Sequence, residues 1–212
     1  MRRLIIDTAT EALSVALFAD EQLIGHHHEI AGRGHAEKLI PIIAAMDGGG
    51  RAEEIWVDGG PGSFTGVRVG IAAARALAFA WNARLSGYSS LALVAAMARD
   101  RAVEPGRSIA VALTGGHGEL FWQTFDRETL APLTDHSSTP IDELAALLDA
   151  RLLFGTGAAT LIAARGSGDA VALHPDARLA PLLPHALLRD DMKPLYGRGA
   201  DAIPIAGQKD RP

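Results

Sequence analysis

The chain has no cysteine, which excludes disulfides, thiolate zinc centres and cysteine nucleophiles together. It has no basic excess: the formal net charge is −5, against the positive surface that autonomous nucleic-acid binding demands. Aromatic residues make up only 5%, while Ala and Gly are abundant. No apolar run reads as a membrane span, since the most apolar stretch carries Arg68, Arg75 and Arg84. The opening Met1-Arg2-Arg3-Leu4 enters a strand-like run at once, with no signal-peptide pattern. A cytoplasmic protein with no membrane attachment is the expectation. What remains is ordinary globular material: 212 residues, 48% hydrophobic and 21% charged, enough for one domain or two small ones.

The most informative stretch runs from Gly59 to Trp81. It follows the strand-like Glu54–Asp58 and reads as strand, glycine-rich turn, helix. Gly59, Gly60 and Gly62 open backbone angles closed to other residues, and Pro61 fixes one dihedral. Ser63 and Thr65 are both candidate N-caps. In the helix, Gly66, Gly70, Ala74 and Ala78 recur every four residues and line one side with small side chains. Arg68 and Arg75 form a narrow polar stripe. Nearly everything else is apolar, more than a helix with one wet face needs. Either the helix is fully internal, or a partner covers part of it.

Leu4–Asp7, Leu13–Phe18 and Leu23–Ile30 read as an antiparallel meander. A helix over His35–Met46 follows, again apolar too far round, with Pro41 inside it as a kink or restart point. The order is three antiparallel strands, helix, strand, helix. That is the element sequence of the ribonuclease-H-like half of actin, sugar kinases and heat-shock ATPases, an analogy of fold alone. Ser90–Asp100 is another helix, and Glu104-Pro105-Gly106 marks a boundary between halves at 1–104 and 105–212. Beyond it, Ile109–Leu113 and Glu119–Phe125 make a hairpin around Gly115–Gly118. Pro140–Leu148 is a helix, Leu152–Phe154 a strand, and Gly155–Gly157 opens a last helix. Six prolines after His174 favour loops, with Gly207–Pro212 frayed.

Motifs for chemistry are scarce. The glycine turn could cradle phosphate through free N–H groups, with Asp7, Thr8, Gly60, Gly62, Ser63 and Thr65 as the candidate phosphate-proximal residues. It fails the Walker pattern for want of a lysine, and the dinucleotide pattern because Gly66 comes one residue late. A structural turn is the alternative. Asp7, Asp58 and Glu37 could hold two magnesium ions in a nuclease, though acids also end strands simply to solvate turns. His26 and His28, with His35 and Glu37, fall short of a four-ligand set, and exposed edge-strand histidines are the plainer reading. Ser63, Ser89 and Ser90 sit in no nucleophile elbow. No catalytic residue and no metal site is assigned.

Several blocks together resemble the TsaB (YeaZ) family: Ile6–Glu11 with Ser14–Ala16, His35 opening the first helix, Gly60–Gly70, and more weakly Pro194–Tyr196. The resemblance is close over about residues 1–100 and thin afterwards. It implies an α/β, actin-like (ASKHA, ribonuclease-H-like) fold of two halves, with mixed sheets flanked by helices and a smaller C-terminal half. It also implies a subunit with no activity alone in the synthesis of threonylcarbamoyladenosine in tRNA. Such a subunit pairs with the catalytic paralogue TsaD, is joined by the ATPase TsaE, and forms homodimers when TsaD is absent. It meets tRNA only through the complex. The resemblance implies no cofactor of its own and leaves room for ATP or ADP at the complex interface.

Pairing in the family uses the first two helices. The expected contacts here are His35, Leu39, Ile42, Ile43, Met46, Arg68, Ile71, Ala72, Arg75 and Phe79, with Ile43→Asp and Ala72→Arg expected to break pairing without unfolding. The sequence departs from the family at Leu113–Phe121, which lacks the usual Asp-Ala-Arg, and at Asp58, where glycine is usual. The rivals are an actin-like ATPase or phosphotransferase using Asp7, Thr8 and the Gly60–Thr65 turn, and a protease acting on TsaD. The first lacks a second phosphate loop with an acidic partner, Gly155–Gly157 being the only candidate; the second lacks any triad.

Overall fold

The computed structural model describes residues 1–32, 34–101, 108–191 and 193–195. Strands β1 (Arg2–Asp7), β2 (Ala12–Ala19) and β3 (Gln22–Ile30) form the expected antiparallel meander. Helix α1 (His35–Ala45) leads to β4 (Glu54–Asp58), and α2 (Phe64–Trp81) leads to β5 (Arg84–Tyr88). Both β4 and β5 join the sheet in parallel, giving the order β3-β2-β1-β4-β5. Helix α3 (Ser90–Ala98) follows. The second half repeats the plan with β6 (Ser108–Thr114), β7 (Glu119–Asp126), β8 (Ser137–Pro140), α4 (Ile141–Leu147), β9 (Leu152–Phe154), α5 (Ala158–Arg165) and β10 (Asp169–Val171). Its sheet runs β8-β7-β6-β9-β10, the same order with shorter strands and helices. The expected fold class is therefore what forms. The boundary placed at Glu104–Gly106 lies outside the described residues, as do Tyr196 and the stretch Gly207–Pro212.

The layers follow from which side chains are apolar on which face. α3 is apolar all round, and all but one of its residues are buried. It lies in one core with Phe18, Trp56 and Tyr88 from the first sheet and Val111, Phe125 and Phe154 from the second. The outer face of the first sheet (Leu4, Ile6, Leu13, Val15, Ile55, Val57) is covered by α1 and α2 through Leu39, Ile43, Val67, Ile71 and Ala74. α4 and α5 cover the second sheet through Leu144 and Leu161.

Local chemistry sets the ends. Ser63 caps α2 by accepting from the Gly66 N–H at 3.3 Å, while Thr65 lies inside the helix. Asn82 closes α2 in the left-handed region at φ 54°, which its short polar side chain tolerates. α1 runs through Pro41 as one helix instead of restarting there. Pro41 is on the exposed face of the helix, where its ring and missing N–H disturb no packed neighbour. α2 is long and apolar enough, by length and composition, to cross a bilayer, contrary to the expectation from its arginines. Its packed face (Val67, Ile71, Ala74) belongs to the first sheet's core, as a helix of a folded domain requires.

Candidate functional site

β1 and β4 are adjacent and parallel, with Ile6 beside Val57, so Asp7 and Asp58 reach the same sheet edge together. Both are fully buried. Asp58 is well provided for. Its Oδ1 accepts from the Gly60 N–H at 2.7 Å, and its Oδ2 from the Ser90 hydroxyl at 2.6 Å. Asp7 Oδ2 accepts from the Tyr88 hydroxyl at 3.2 Å, but its Oδ1 finds no donor among the described residues. Burial first, and then the negative charge of Asp58, push the Asp7 carboxyl well above the usual carboxylate range. Burial also raises Asp58, to about 6, against its several hydrogen bonds. Of the two coupled carboxyls, Asp7 is the one pushed further toward keeping its proton, because Asp58 has the donors of Gly60 and Ser90 and Asp7 has Tyr88.

The glycine turn packs directly on the loop after β1. A Cβ on Gly62 would stand 2.1 Å from the Ala9 carbonyl oxygen, and one on Gly66 would stand 2.1 Å from that of Thr8. The Ser63 N–H donates to Ala9 O at 2.7 Å, and the Thr8 hydroxyl donates to Gly66 O at 2.7 Å. On its other side Leu195 N–H donates to Gly59 O at 2.7 Å. These glycines are explained by backbone approaching backbone, so the small-residue row on α2 serves the chain's own fold. Gly70 fits the same account, with a Cβ there falling 2.5 Å from Thr8 Oγ1. Thus Asp7, Thr8, Gly60, Gly62 and Ser63 do come together, in a tight junction that is buried at Asp7, Thr8 and Gly60, half-buried at Gly62 and exposed at Ser63 and Thr65.

The other constellations separate. Glu37 is exposed on α1, away from the buried acids, so the nuclease trio does not form. No group of three or more metal-binding side chains occurs among the described residues. His28 Nδ1 lies 3.1 Å from Ser14 Oγ and 3.9 Å from Asp176 Oδ1. Both contacts use one ring nitrogen, and Ser14 is fully buried and accepts from the Ala177 N–H at 2.9 Å. The cluster ties the Ala177–Leu182 segment to β2 and has no triad geometry. Ser89 caps α3, and Ser90 is held by Asp58.

Of the residues expected at a partner surface, Leu39, Ile43 and Ile71 are sealed in the first sheet's core and His35 is buried with Nε2 at 3.2 Å from Ala12 O. They face inward because their spacing forms the stripe that meets the sheet. Ile43→Asp is therefore a core substitution, contrary to expectation. Ile42 and Met46 are half-buried. Arg68, Ala72, Arg75 and Phe79 are exposed, and Phe79 is 92% accessible. Sequence reasoning missed two other exposed apolar side chains, Phe64 at 59% exposure and Ile40 at 48%. Phe64 sits one turn before Arg68, whose guanidinium lies 3.5 Å from the ring centroid. The i, i+4 spacing was the signal available for it.

The family profile described as TsaD, tRNA N6-adenosine threonylcarbamoyltransferase, matches residues 16–151. The tRNA threonylcarbamoyladenosine biosynthesis protein TsaB of Escherichia coli is 35% identical over 133 residues, covering 60% of this chain and 56% of that one. The chain spans about half the length of the curated relatives it matches. The structure of YeaZ from Pseudomonas aeruginosa superposes with a TM-score of 0.74 at 27% identity, covering 92% of this chain and 99% of the other. The ethanolamine utilization protein EutJ from Carboxydothermus hydrogenoformans shares the fold at TM-score 0.50 and 10% identity, over 86% of this chain and 90% of its own.

Proposed function

The chain belongs to the tRNA N6-adenosine threonylcarbamoyltransferase family, among its TsaB (YeaZ) members, and we propose that it is a non-catalytic subunit that makes threonylcarbamoyladenosine in tRNA only together with TsaD. The observation that carries this reading is the outer face of α2. Phe64, Ala72 and Phe79 leave an apolar seam in water, and Phe79 is almost wholly accessible. Ile40 on α1 is exposed as well. A large apolar patch on a surface marks a docking site more often than an accident of composition.

In this reading TsaD lays helices against α1 and α2, burying on the order of 800 Å² per partner. TsaE and tRNA join through the complex. A second copy of the chain is a weaker occupant of the same seam. The closed glycine junction supports a subunit that holds no nucleotide of its own, with any ATP or ADP bound at the shared interface. An independent ATPase would instead need an open cradle where Gly62 and Gly66 meet Ala9 and Thr8.

Reconstitution tests the proposal. Supplied with threonylcarbamoyl-adenylate as donor, purified TsaD and TsaE should modify tRNA with this chain present and lose at least about tenfold in rate without it, a barrier about 1.4 kcal/mol higher. Full modification in its absence would overturn the reading.

A further inference from the structure

We infer that the segment 172–191 is an acid-sensitive strap: it returns from the second half to close the inner face of the first sheet, and the link from Ala177 through Ser14 to His28 that pins it there loosens when His28 takes up a proton. β10 ends at Val171 in the second half. From there the chain crosses to the first, where Ala177, Ala180 and Leu183 are buried in one core with Ile5, Ala16, Phe18 and Trp56. His185 meets Trp56 edge-on with ring centroids 5.9 Å apart. Arg189 then pairs with Gly87 of β5 through two backbone bonds, at 2.7 and 2.8 Å.

The start of the strap is pinned by side chains. The Ala177 N–H donates to Ser14 Oγ at 2.9 Å, and that oxygen lies 3.1 Å from His28 Nδ1. Ser14 is fully buried and faces His28 in the register of β2 and β3. With Nδ1 as acceptor the donors run in one direction, Ala177 N–H to Ser14 and the Ser14 hydroxyl to His28. A proton on Nδ1 reverses the second step. Two donors then converge on Ser14 Oγ, and its hydroxyl hydrogen loses an acceptor in a place closed to water. Asp176 does not make good the loss. Its Oδ1 is 3.9 Å from Nδ1, and both its oxygens are already met by Arg178 Nε at 3.0 Å.

The titratable and charged groups around His28 are His26, His27 and Glu29 on its own strand and His174, Asp176 and Arg178 on the strap, while β2 presents the neutral Ser14. Burial comes first in holding the imidazole below its ordinary value; Asp176 opposes it, and Arg178, His174 and His27 add to it. A base whose proton affinity falls on folding favours the closed strap above the ordinary histidine range, near ~6.5. That preference is lost as pH falls through the folded-state value. The buried pair Asp7 and Asp58 responds in the opposite sense, so acid loosens the strap while it secures the sheet beneath.

The test is hydrogen–deuterium exchange read by mass spectrometry on the full chain between about pH 7.5 and about pH 5, each peptide corrected for its intrinsic exchange rate. Peptides covering Ala177–Leu182 should open at least about threefold more often at the acid end, while those of α5 hold. His28→Asn sets an amide oxygen near the place of Nδ1 and takes up no proton, so its strap should stay equally protected across the range. Ser14→Ala removes the pin and should leave the strap loose at both ends. Opening that follows pH alike in the wild type and H28N overturns the inference, as does a strap in S14A as protected as the wild type's. An equal loss over every peptide is global unfolding and overturns it too. Should H28N not fold, the wild type alone decides: NMR titration of the His28 ring must span the pH range in which the strap opens, and opening confined to another range sinks the idea.

Discussion

Asp7 and Asp58 lie fully buried side by side at the paired ends of β1 and β4, and burial together with the charge of Asp58 holds the Asp7 carboxyl well above the usual carboxylate range. The pair is held by Tyr88 on one side and by Ser90 and Gly60 on the other.

This pair makes stability depend on pH in a defined direction. The folded-state affinity of Asp7 for its proton is raised above that of the unfolded chain. Its stabilising contribution is complete below the ordinary aspartate range, near ~4, and is lost as pH rises toward the folded-state value. The raised value of Asp58, about 6, acts in the same sense. Asp7→Asn supplies a permanent donor toward Asp58 with no proton to lose. The variant should melt several degrees above the wild type at about pH 8, at ~2–4 °C per kcal/mol for a chain of this size, with the gap narrowing toward pH 5. Differential scanning calorimetry across that range decides it: parallel pH curves for the two proteins would show that the proton is not held there.

Ser90 is the second lever on the same site. Its hydroxyl reaches Asp58 Oδ2 at 2.6 Å, in a place closed to water. Ser90→Ala leaves an ionised oxygen short of a donor and should cost about 1–3 kcal/mol in urea unfolding near neutral pH, and less in acid, where Asp58 is protonated. An equal loss at both pH values would assign the effect to the helix start instead of the carboxylate.

Gly66→Ala and Gly62→Ala separate packing from ligand binding. Each adds a methyl group 2.1 Å from a backbone carbonyl oxygen that cannot swing away. A destabilisation of about 1–3 kcal/mol or more is expected for each. Gly116→Ala, with nothing within 4 Å of its Cβ, should be near neutral. Thermal melts of all three suffice. Full stability of Gly66→Ala would reopen the phosphate reading of this turn.

Much of this was legible in the sequence, and the rest was hidden for physical reasons. The apolar strands, the helix over Phe64–Trp81 and its Ser63 cap follow from local pattern. β5 escapes the pattern because Arg84-Leu85-Ser86-Gly87-Tyr88 alternates poorly; it is held by β4 on one edge and a bridge to Arg189 on the other. β8 is short and polar and β10 has only three residues, and they form because β7 and β9 present partners. Asp7 and Asp58 were visible as strand-ending acids, but their raised proton affinity depends on a burial that no spacing reveals. The apolar excess of α1 and α2 is plain in the sequence, and its direction is not. An all-apolar helix does not declare which side meets its sheet, and so Leu39 and Ile43 were placed outward.

That distinction yields the sharpest contrast between two substitutions of the same kind. Phe79→Asp removes an aromatic ring that is 92% accessible, and should leave the melting temperature within about 1–2 °C of the wild type, as surface changes do. Ile43→Asp puts a carboxylate where only 2% of the side chain meets solvent, among Leu39, Val15 and Ile71. It should cost roughly 4 kcal/mol or more and lower the melt by ten degrees or so. In a co-elution assay with TsaD, loss of binding by folded Phe79→Asp then speaks for the seam itself. Loss by Ile43→Asp speaks only for folding. If Phe79→Asp stays folded and still co-elutes as the wild type does, the outer face of α2 is not where TsaD docks.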